Sequence, residues 1–242
     1  MEVRIGDELP VSSILAIAKK EFKESISNRW FLVLSVIFFL LILQIPYILL
    51  MLLGFFSYSN IPGKTGIFLV HAISFGGLIT LIVGSLSIVT EKEQDTLSFL
   101  LTQPIRKLEI IIGKFFGLLL VISLMMSIGF GLAMLPSIGE EEIINIGFLN
   151  FIYSTLVMVG SASVMIGLSI AISVISASRT MAVSLALFIW LFFTLIYGSG
   201  FLGYMLITVN ETQAYFYFIF LNPIEISNII MHLILNPVLS PS

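Results

Sequence analysis

The chain has 242 residues, of which 58% are hydrophobic and only 10% charged, with a mean hydropathy of +1.13 and a net charge of −3. Soluble domains carry about a quarter charged residues, so water cannot be the solvent for most of this surface; the composition points to lipid. With no cysteine and only His71 and His232, disulfides, thiol chemistry and cysteine metal sites are excluded, and few options for a metal centre remain.

The first 30 residues form a polar start followed by an amphipathic segment. From Ser12 to Trp30, Ile14, Ala18, Phe22, Ile26 and Trp30 recur every fourth residue, with Lys19, Lys20, Lys23, Glu24 and Ser27 on the other side. That spacing predicts a helix lying at the membrane interface, with Trp30 at headgroup level. It serves either as a simple surface anchor or as a surface that also meets a partner. Residues 31–242 form the transmembrane domain.

Crossing the hydrocarbon core takes roughly 20 apolar residues. Five segments meet this: 31–56, 67–89, 110–135, 148–175 and 181–209. None contains Asp, Glu or Arg, and Lys114 is expected to snorkel toward the headgroups. The expected fold is therefore all-α: a polytopic helical membrane protein with five spans and an amino-terminal interfacial helix. Residues 213–221 and 224–235 are too short to span and are expected to form a re-entrant or interfacial element.

Every Lys and Arg except Lys64 falls on one side of these spans, while Glu140, Glu141, Glu142 and Glu211 fall on the other. The positive-inside rule places the basic side, and the amino terminus, in the cytoplasm of a cell-membrane protein. Glycines and small residues recur at four-residue spacing: Gly113 with Gly117, Ser163 with Gly167 and Ala171, and Ser169 with Ser173 and Ala177. Such spacing lets helix backbones approach closely, within the chain or between subunits.

The loop 91–107 is the one sizeable cytoplasmic connection. Asp95 or Thr96 can cap a short helix presenting Leu97, Leu100 and Leu101, and Pro104 ends it before Arg106, Lys107 and Glu109. Such a helix fits either an ordinary solvated loop or docking into a groove of another protein. The spans lack the acids typical of ion-coupled carriers, and no Gly-rich phosphate loop exists. Any uphill transport must draw its energy from another chain. A membrane anchor or assembly factor for a partner that is not an ATPase is the alternative.

The run Glu91-Lys92-Glu93-Gln94-Asp95-Thr96-Leu97, with Leu100-Leu101, Pro104-Ile105-Arg106-Lys107 and Gly113-Lys114, resembles the signature of ABC-2-type permeases. These are membrane subunits of ATP-binding-cassette transporters. The similarity is greatest to permeases associated with nitrous-oxide-reductase maturation. The amphipathic helix and Asn222-Pro223-Ile224-Glu225 are also similar. Asp95 stands where the family often has Gly, and Arg106-Lys107 stands for Ser/Thr-Arg. The resemblance implies a sixth span, an export function, and a permease pair of like or related subunits. It implies a separate ABC ATPase that holds ATP and Mg, with no cofactor on this chain and no nucleic-acid partner. Glu91, Glu93, Asp95, Thr96, Leu97, Leu100, Leu101, Pro104, Arg106 and Lys107 would then form the coupling segment that meets the ATPase.

Overall fold

A computed structural model describes residues 11–52, 61–96, 102, 105–134, 148–197 and 221–235. Among these residues every regular element is helical. The elements are α1 (Val11–Ser27), α2 (Arg29–Leu52), α3 (Ile61–Glu93), α4 (Lys107–Met134), α5 (Phe148–Ile175), α6 (Arg179–Leu191) and α7 (Pro223–Leu235). A π-helical segment, Phe192–Tyr197, continues α6.

Three described stretches are each long and apolar enough to cross a membrane: His71–Glu93, Lys107–Leu132 and Phe151–Ile175. A fourth candidate is the pair α1 and α2, bent by 68° at Asn28. The bend is fixed locally, because Asn28 Oδ1 accepts the Trp30 N–H at 2.9 Å and so starts α2 as a separate helix. The last expected span, 181–209, is described only as far as Tyr197.

α3 is the central helix and packs against α2, α4, α5, α6 and α7. Small residues permit this. At Gly84 a Cβ would lie 1.8 Å from Ser169 Oγ, and Ser173 Oγ accepts the N–H groups of Ile88 and Val89 at 2.9 Å. Ser169 and Ser173 are fully buried, so this stripe of α5 is the α3-facing one. The other stripe, Ser163, Gly167 and Ala171, points away: Gly167 and Ala171 are exposed, and nothing lies within 4 Å of a Cβ at Gly167. The apolar core is continuous through Phe38, Ile73, Leu81, Ile122, Met126, Met158 and Met165.

α7 packs on α3 and α5. Its Ile224 reaches Gly77, which by helix rise lies about 24 Å along α3 from Glu93. The start of α7 is therefore packed inside the bundle, against the part of α3 nearer His71 than Glu93. Asn222, fully buried, makes this possible. Its Oδ1 accepts the N–H groups of Ile224 and Glu225, capping α7, while its Nδ2 donates to Phe193 O in the π segment at 2.9 Å. The amide satisfies backbone groups of two elements that could not otherwise be dry.

α1 and α4 run side by side in the same direction, with Gly113 against Ile14 and Ile17 and Gly117 against Ala18 and Glu21. The inward face of α1 is therefore built on Ala18, Glu21 and Ser25, while Ile26 and Trp30 are exposed. The face is rotated from the apolar stripe expected from spacing alone. The reason is the notch left by the two glycines, together with the charge described next.

Candidate functional site

Apart from Lys64 near the start of α3, the basic residues of the described helices gather at one end of the bundle, where α3 ends and α4 and α6 begin. The last turn of α3 reads Glu91-Lys92-Glu93. Consecutive helical residues are set about 100° apart, so three in a row reach three different neighbours.

Glu91 turns toward α4 and α1. Its Oε1 accepts from Lys114 Nζ at 3.0 Å and lies 3.9 Å from Lys20 Nζ. Lys114 also donates to Glu21 Oε2 at 2.8 Å and to Ser87 O at 3.0 Å. All three ammonium protons are thereby satisfied. Lys114 is only 3% exposed. It does not snorkel as the sequence suggests, because two carboxylates meet it inside the protein. Three carboxylates, Glu21, Glu24 and Glu91, surround two ammonium groups, Lys20 and Lys114, leaving an excess of negative charge. Burial pushes the Glu21 carboxyl above the usual carboxylate range, against the pull of Lys114 and with added push from Glu91 and Glu24.

Lys92 turns toward α5. Its ammonium donates to Val174 O and to Ser176 O, the carbonyls at the end of that helix. A cation there answers both the unpaired carbonyls and the negative end of the helix dipole. Glu93 turns toward α6. Its Oε1 accepts the Arg179 N–H at 2.7 Å, and its Oε2 forms an ion pair with Arg179 Nε at 2.7 Å. A carboxylate at this helix start, beside the Ser178 cap, is favoured by the same dipole.

Beyond Glu93 the chain stops its helix sharply. Asp95 has φ 55°, the left-handed region that glycine favours, and its N–H donates to Lys92 O at 3.2 Å. Thr96 Oγ1 donates to Glu91 O at 3.3 Å. Gly, and to a lesser degree Asn or Asp, enters this region cheaply. The turn at Gln94 and Asp95 thus ends α3, and Thr96 after it is helical again. Leu97, Leu100, Leu101 and Pro104 lie outside the described residues. Arg106 O accepts from the N–H groups of Glu109 and Ile110, so Arg106 starts α4, and Lys107 is exposed.

Of the residues expected to meet a partner, the carboxylates of Glu91 and Glu93 are therefore taken by partners within the chain. Sequence reasoning did not single out Lys20, Glu21, Lys92 and Arg179 as members of one cluster. Their partners lie mostly more than 70 residues away, and only Lys114, a cation inside an apolar run, signalled the site.

Residues 15–236 match the family described as ABC-2 family transporter protein. The probable ABC transporter permease protein NosY of Pseudomonas aeruginosa is 28% identical over 225 residues, covering 90% of this chain and 80% of that protein. The corresponding protein of Stutzerimonas stutzeri is 27% identical over 224 residues, covering 91% and 81%. A chain of apolar helices matched along nearly its whole length belongs to the ABC-2 family of transporter proteins, as a multi-pass membrane protein similar to the NosY permeases.

Proposed function

We propose that this chain is the transmembrane permease subunit of an ABC-2-type ABC exporter, coupled through residues 91–107 to a separate ATPase subunit. The observation that carries this reading is the position of the loop's root. It leaves α3, the helix in contact with all the other membrane helices described, directly after the turn in which Glu91, Lys92 and Glu93 grip four neighbours. A push on the loop is thus delivered to the centre of the bundle.

In this reading five spans cross the membrane, the basic end is cytoplasmic, and α1 lies along the inner interface beside α4. Two subunits, alike or related, enclose the pathway. ATP and Mg are held by the ATPase. The burial of Asn222 and Ile224 in the bundle supports a re-entrant course for the segment before α7.

The test is the double variant Leu97→Glu/Leu100→Glu, purified with an ATPase subunit carrying the Gly-x-x-x-x-Gly-Lys-Ser/Thr loop and encoded beside it. The expected result is loss of co-purification. Retained binding with ATP hydrolysis still responsive to the permease would remove the coupling assignment. Orientation is checked in the naturally cysteine-free chain. A cysteine at Glu141 should label from outside and one at Gln94 only from inside.

A further inference from the structure

We propose that Glu91, Lys92 and Glu93, with Lys114 and Arg179, are positioning residues: a clamp that makes the ends of α1, α3, α4, α5 and α6 move as one body when the loop is displaced. The inference rests on the functional reading above but assigns these carboxylates a different task from contact with the ATPase.

Three observations lead to it. First, the grip reaches four helices: one turn of α3 holds α1 and α4 through Lys114 and Lys20, α5 through Lys92, and α6 through Arg179. Second, the part of the grip that holds α1 and α4 is turned inward. The Lys114, Glu21 and Glu91 side chains are 3%, 10% and 12% exposed, so little of them is left to present to a partner. Third, a buried ion cluster adds little to stability compared with apolar residues of the same size. What it does supply is register, since each charge has one satisfactory place. At the root of a moving loop, fixed register is what transmits displacement without slippage. The stop at Asp95 ends α3 directly beyond the clamp residues, so the chain leaves the helix at the clamp.

The experiment uses the complex with its ATPase subunit in lipid nanodiscs. Single cysteines are introduced at Thr102 in the loop, Ser12 on α1 and Thr180 on α6, and maleimide labelling is compared before and after trapping with ATP and vanadate. In the parent chain, trapping is expected to change the labelling rate at all three sites by about threefold or more. Lys114→Met should keep the change at Thr102 and abolish it at Ser12. Arg179→Gln should keep it at Thr102 and abolish it at Thr180. Lys114→Arg, which preserves the charge, should restore the response at Ser12. The swap Glu93→Arg/Arg179→Glu should restore the response at Thr180, because both partners lie within this chain.

Full responses at Ser12 and Thr180 in Lys114→Met and Arg179→Gln would overturn the clamp. So would failure of the swap accompanied by loss of ATPase binding, which would make Glu93 a partner contact. If Lys114→Met does not fold, Arg179→Gln and the swap decide the matter, since Arg179 and Glu93 are 43% and 32% exposed. If the parent chain binds no ATPase, the functional reading fails and the clamp's role in coupling falls with it. If the parent binds and responds while the variants behave as the parent, only the clamp fails.

Discussion

Replacing Gly117 by alanine adds one methyl group, and the structure says where it goes. The new Cβ would lie 2.7 Å from Ala18 O and 2.7 Å from Glu21 Cβ. The first of these is backbone, which cannot rotate away. Helix α1 must therefore move as a whole or lift from α4, and overpacking of this kind costs about 1–3 kcal/mol. The alanine also returns about 1 kcal/mol of helix propensity. The net expectation is a loss of about 0–2 kcal/mol. Gly167→Ala is the internal control. Nothing lies within 4 Å of its Cβ, so only the propensity gain of about 1 kcal/mol remains. The two substitutions, chemically identical, should differ by the overpacking cost alone, about 1–3 kcal/mol.

Unfolding of the detergent-solubilised protein, followed by the fluorescence of Trp30 and Trp190, measures this difference. A cysteine at Ser25, 9% exposed on the face of α1 turned to the bundle, adds a local readout. It should stay protected in Gly167→Ala and become reactive in Gly117→Ala. Equal stability of the two variants, with Ser25→Cys protected in both, would show that α1 does not sit in the Gly113–Gly117 notch.

Three further expectations follow from individual side chains. Asp95→Gly should match or exceed the parent's stability, by at most about 1 kcal/mol, and Asp95→Val should lose about 1–2 kcal/mol, since valine tolerates the left-handed region poorly; equal unfolding midpoints for Val and Asp would refute the assigned backbone. Asn222→Ala should cost about 2–4 kcal/mol, combining loss of a helix cap with an unpaired Phe193 carbonyl; Asn222→Ser, which can still cap, should fall between, and a harmless alanine would refute the bridging role. The folded chain holds a proton on Glu21 more tightly than the unfolded chain, in surroundings set by Lys114 on α4, Glu91 on α3, and Lys20 and Glu24 on α1. Its contribution to stability is therefore present at low pH and lost as pH rises from the ordinary carboxylate value through the raised one. Subtracting the pH profile of Glu21→Gln from that of the parent, over about pH 4 to 8, should leave a curve that falls with pH; a rising difference would overturn the raised affinity.

Much of the fold is legible in the chain because lipid imposes a simple rule. An apolar run long enough to span must be helical, since its backbone has no water to pair with. Length, apolar runs and the one-sided Lys and Arg distribution therefore predict helices, their order and an orientation. Helix starts and stops are local as well: Asn28, Ser178 and Asn222 cap, and Asp95 ends α3. The loop 91–107 is readable as a motif through its resemblance to a family signature.

Which face of each helix turns inward is not written in the same way. In water, an apolar stripe marks the buried side; in lipid, both sides are apolar and the stripe disappears. Hence Ser169 and Ser173 are indistinguishable by spacing from Ser163 and Gly167, yet the first two are buried against α3 while Gly167 is exposed. Likewise Glu21 looks like one more surface acid on an amphipathic helix. Only the packing of α1 into the Gly113–Gly117 notch brings it 2.8 Å from Lys114, 93 residues away. The sequence by itself determined where helices form and where they end. The tertiary structure decided which charges meet, because each of those contacts joins segments whose proximity no local pattern records.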